Sequence, residues 1–99
     1  AIFRAALFLF YICRKNKMRI VGYIPHPIMK ITVMQMSERF VLKLEVNSIE
    51  QTYKFNEDDN LRTMKDIEKV VDEIFLMECL KRFSEMNKSV GEAYQRNMV

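Results

Sequence analysis

Ninety-nine residues with 49% hydrophobic and 29% charged side chains fit one small globular domain and exclude an intrinsically disordered chain. Two glycines, two distant cysteines and one histidine exclude a glycine-rich phosphate loop, a disulfide framework and a histidine-based metal cluster. The formal charge of +3 arises entirely in residues 1–17, where Arg4, Arg14, Lys15 and Lys17 meet no acid. Residues 18–99 are close to neutral.

Residues 1–17 differ in kind from the rest. An apolar run reaches Cys13, broken only by Arg4, and the basic cluster Arg14, Lys15 and Lys17 follows it. Three readings compete: an extension outside the native domain, which would begin at Met18; a membrane element; or a helix packed on the domain. Twelve apolar residues span about 18 Å as a helix, short of the roughly 30 Å hydrocarbon core, so membrane crossing is not expected without further residues upstream. A cleaved signal peptide would place its positive charges before the apolar stretch, not after it. The expected organisation is a 1–17 extension and a single domain over 18–99.

From residue 19 to 55 the pattern has period two, predicting an antiparallel meander of three to four strands. Residues 19–24 form the first, ended by Pro25, His26 and Pro27, whose rings interrupt a ladder. Residues 28–36 form a second, apolar on both faces at its centre. In residues 39–46, Phe40, Leu42, Leu44 and Val46 face one way and Arg39, Lys43 and Glu45 the other. Residues 49–55 set Ile49, Tyr53 and Phe55 against Glu50, Thr52 and Lys54. Ser37-Glu38 and Asn47-Ser48 are gaps of hairpin length.

Helical spacing replaces alternation after the acidic stretch Glu57, Asp58, Asp59 and Asn60. Thr63 and Asp66 form a capping box, starting one long helix or two shorter ones over about 63–96 and completing an α+β fold with the helical part on one sheet face. Ile67, Val70, Val71, Ile74 and Met77 make a first apolar stripe, expected to cover the sheet. Leu80, Phe83, Met86, Val90 and Tyr94 make a second, rotated by roughly 140° at about 100° per residue. Either the helix breaks near 77–81, or it runs straight and turns the second stripe toward a partner. The absence of Gly or Pro between Thr63 and Val90 argues against a sharp break.

Chemistry-bearing groups are sparse. His26, held between two prolines, reads as a turn residue with an exposed ring. The acids 57–59 lack the spacing of a calcium loop and suit the approach to a helix N-terminus. Neither a catalytic constellation nor a cofactor or metal site is expected, so an enzyme is not. The leading expectation is a cytoplasmic interaction domain that docks on a protein partner, or on itself, through Leu80, Phe83, Met86, Val90 and Tyr94. The alternative is an accessory ribonucleoprotein component, such as a ribosome-associated protein, touching RNA through Arg19, Lys43 and Lys54.

The string from Met18 to Pro27, with Met29 to Val33 and Glu50 to Phe55, resembles small bacterial proteins without an assigned activity that begin at the equivalent of Met18. The resemblance implies a domain start at Met18 and carries no activity or site.

Overall fold

A computed structural model describes residues 18–98; the three readings of residues 1–17 lie outside them. The chain forms β1 (Arg19–Ile24), β2 (Lys30–Met36), β3 (Arg39–Val46), β4 (Ile49–Asn56), α1 (Met64–Val70) and α2 (Glu73–Met98). The strands pair antiparallel in the order β1-β2-β3-β4, and α2 packs against the sheet. This is the expected α+β meander. Both two-residue connections occur, opened by Ser37 at φ 57° and Asn47 at φ 54°.

Register decides which side chains share the core. Ile31 lies opposite Leu44 and Val33 opposite Leu42, while Phe40 and Leu42 face Phe55 and Tyr53. These residues close on Ile67, Val71, Cys79 and Phe83 from the helices. On β1 the register shifts between Ile20 and Gly22, and Gly22 lies so close to α1 that a Cβ there would sit 2.9 Å from Cε of Met64.

His26 holds the turn after β1, its Nδ1 accepting the N–H groups of Ile28 and Met29 at 3.1 Å each. Its ring is half-buried rather than exposed. Because the imidazole engages those two amides, β2 begins at Lys30 rather than at residue 28, and Ile28 is exposed.

The helical part differs most from expectation. The capping box forms: Asp66 N–H donates to the Thr63 hydroxyl, and the Asp66 carboxylate accepts the Arg62 and Thr63 amides at 2.9 and 3.0 Å. Those two amides hold the Asp66 carboxyl below its ordinary pKa. The break, expected near 77–81 if anywhere, lies instead at Val71, whose φ of −84° and ψ of 73° make an inverse γ-turn closed by Asp72 N–H on Val70 C=O at 2.9 Å. Asp72 then caps α2, its Oδ1 accepting the Phe75 amide at 2.8 Å. A buried Val and a capping Asp thus turn the chain without Gly or Pro.

That early break divides both expected stripes between core and solvent. Ile67 of α1 and Val71 at the break belong to the core, but Val70 is 43% exposed and Ile74 and Met77 are each 69% exposed. Cys79, Phe83 and the partly buried Leu80 and Met86 face the sheet, because α2 starts afresh with its own rotation.

Candidate interaction surface

Alternation along β4 places Gln51 and Tyr53 inward between Ile49 and Phe55. Gln51 is buried, and a buried amide needs partners. It donates to the Cys79 carbonyl at 2.9 Å and accepts the Tyr53 hydroxyl. Arg82 Nη1 donates to the Tyr53 oxygen at 3.3 Å, and the Cys79 thiol approaches it at 3.9 Å. Among the described residues no buried side-chain polar atom lacks a partner. Burial, with the neighbouring Cys79 thiol, pushes the Tyr53 phenol above its ordinary pKa. The Tyr53 ring also meets Phe75 edge-on at a centroid distance of 5.2 Å. This polar hub fixes the rotation of α2 on β4.

The face of α2 set by this hub continues along the helix. Cys79, Phe83, Met86, Val90 and Tyr94 follow steps of three or four residues, one side of a 3.6-residue helix. Beside Phe83 and Asn87 lie Asn47 and Ile49 of the β3–β4 hairpin, and beyond that turn no strand of the described residues continues under the helix. The 26 residues of α2 extend about 39 Å, whereas the eight residues of β4 reach about 27 Å. The same face therefore emerges uncovered: Val90 is 60%, Tyr94 61% and Met98 69% exposed.

The structure thus divides the five residues expected to bind a partner. Phe83 is 5% exposed and Leu80 and Met86 pack against the same core, so Phe83 presents no surface to another molecule. Val90 and Tyr94 do. Met98, one turn further along the row, belongs with them, and its spacing of four from Tyr94 is the signal that could have found it.

The three basic residues of the RNA reading do not converge. Lys43 sits between Glu45 and Glu50 at 3.3 Å from each, and those carboxylates, Glu50 foremost, raise its pKa. Lys54 shares that face, opposite Val41. Arg19 bonds Gln35 Oε1 at 2.9 Å and pairs in register with Gln35, two residues from inward-facing Val33.

Among the described residues no three His, Cys, Asp or Glu side chains are placed to hold a metal ion, and no helix is long and apolar enough to cross a membrane. Comparison of the chain with protein-family models, curated proteins and solved structures returns no match.

Proposed function

We propose that this chain is a non-catalytic interaction domain whose sheet and α1 serve as a base for the projecting end of α2, which docks into a groove on a protein partner. The observation that carries this reading is the continuity of one apolar face from buried Phe83 to exposed Val90, Tyr94 and Met98. Anchors at i, i+4 and i+8 suit a helix laid into a hydrophobic groove. Magnitudes favour a groove over a bare pair of helices. Burying an apolar side chain contributes about 1.5 kcal/mol or somewhat more, so three anchors contribute about 5 kcal/mol, which corresponds to only sub-millimolar affinity. A partner that also wraps the flanks of the helix supplies the remainder.

A photoreactive residue placed at Tyr94, compared with one at Lys81 on the opposite side of α2, tests the reading in cells. The expected result is one discrete protein adduct from position 94 and none from position 81. An adduct to a second copy of the chain would replace the partner by self-association. Equal, diffuse labelling from both positions would contradict docking through this face.

A further inference from the structure

The two edges of the sheet differ. At β1 the register shifts between Ile20 and Gly22 and Pro25 follows the strand, a bulge and a proline of the kind that keep an edge from pairing further. β4 has neither: its eight residues pair with β3 without a shift. The two-residue turn Asn47-Ser48 makes Val46 and Ile49 a hydrogen-bonded pair, and such pairs recur at every second residue. Glu57 N–H on Glu38 C=O at 2.9 Å continues the set. Ile49, Gln51, Tyr53 and Phe55 therefore turn their amides toward β3, whereas Glu50, Thr52 and Lys54 turn theirs outward. All three are exposed, and among the described residues no strand lies beyond them. A groove runs between this edge and α2, with Thr52 on one side and Arg82, Glu85 and Ser89 on the other.

We propose that the β4 edge pairs antiparallel with β4 of a second copy of this chain, about a twofold axis at Thr52, joining two four-stranded sheets into one. Charge decides the occupant. An antiparallel strand centred there sets Glu50 opposite Lys54 of the second copy and Lys54 opposite its Glu50, with the two Thr52 side chains between them. Opposite-charge and Thr–Thr pairs are among those that stabilise neighbouring strands. Among the described residues Lys54 has no ion-pair partner in its own chain, whereas Glu50 meets Lys43 at 3.3 Å. The Lys54 of the second copy thus completes a row of alternating sign through Glu45, Lys43 and Glu50. Register is selected too. Slipping the strands by four residues either way sets Glu50 against Glu50 or Lys54 against Lys54, and like charges directly opposite are destabilising. On the inner face the same register places half-buried Ile49 opposite half-buried Phe55 of the second copy. An unrelated extended segment would need a base and an acid four residues apart to match this edge, and β4 carries that match itself. The edge is separate from the end of α2 and stands independently of the proposed function.

Charge exchange in the full chain tests the proposal. Lys54→Glu alone and Glu50→Lys alone should each shift the protein from dimer toward monomer in sedimentation velocity, because every facing pair becomes like-charged. Mixing the two variants should restore a dimer, since one copy then presents two acids to the two bases of the other. In the unaltered protein, the amides of Glu50, Thr52 and Lys54 should become protected from hydrogen exchange as concentration rises, while those of Gln51 and Tyr53 are protected throughout. Should either variant fail to fold, this amide pattern decides alone. A chain that stays monomeric at the concentrations used for NMR would overturn the proposal. So would a dimer that both variants leave intact, folded variants that stay apart on mixing, or a dimer in which the three outward amides exchange freely.

Discussion

Phe83 and Val90 lie seven residues apart on one face of α2, yet one is 5% and the other 60% exposed. Their residue types and spacing are those of a single amphipathic helix, so nothing local to α2 separates them. The difference comes from the length of what lies beneath: the sheet ends at the β3–β4 hairpin and the helix continues. Helical periodicity thus defines a face, and only tertiary structure decides how much of that face is core. The root of α2 belongs to the stability of the domain, and its end is free to belong to function.

The sharpest way to break this comparison is to truncate each side in turn. Phe83→Ala should destabilise the domain by about 3–5 kcal/mol through the cavity it leaves, measured by urea unfolding. Val90→Ala on the uncovered part should change stability by no more than about 0.5 kcal/mol. Equal losses would mean that both positions are core.

The polar hub offers a smaller effect at the root. Tyr53→Phe removes the donor to Gln51 and leaves a buried amide oxygen without its partner, for an expected loss of about 1–3 kcal/mol. The pH dependence carries the same information. The Tyr53 phenol is raised above its ordinary 10.0, so its contribution is complete below pH 10.0 and is lost as pH climbs through the folded value. Tyr53→Phe should flatten that alkaline decline in thermal denaturation curves; an unchanged decline would remove Tyr53 as its source.

Next in size is the start of α2. Asp72→Ala should cost about 1 kcal/mol by loss of the cap and lower the helical signal in circular dichroism. Thr63→Ala should cost a similar amount at α1. The smallest expected effect is acidic: Asp66 is held below its ordinary 3.8, so its contribution is complete above that pH and is lost as pH falls through the folded value. Asp66→Asn should remove that part of the acid dependence.

Much of the fold was legible in the sequence, for physical reasons that can be named. Alternation in β3 and β4 marked two strands because one face is core. Asn47 marked a turn because its side chain tolerates the left-handed backbone. Thr63 and Asp66 marked a helix start because their side chains answer two orphan amides. The break at Val71 was not legible in the same way: an inverse γ-turn has no glycine or proline signature, and Asp72 reads as a helical acid until its bond to the Phe75 amide is seen. Treating residues 63–96 as one phase therefore assigned Ile74 and Met77 to the core, where the restarted helix turns them to solvent. Gln51 was overlooked because polarity suggests a surface, although its parity with Ile49 and Tyr53 placed it inside. The division of the stripe between Phe83 and Val90 depends on where the hairpin ends in space, which no local pattern encodes.

Residue-resolved amide hydrogen exchange along α2 in the isolated protein tests the central claim most directly. Amides around Leu80, Phe83 and Met86 should exchange only with global unfolding, and those from Gly91 onward should exchange far faster through local opening. Uniform protection from Leu80 through Arg96 would contradict the account, because the end of α2 would then already be covered.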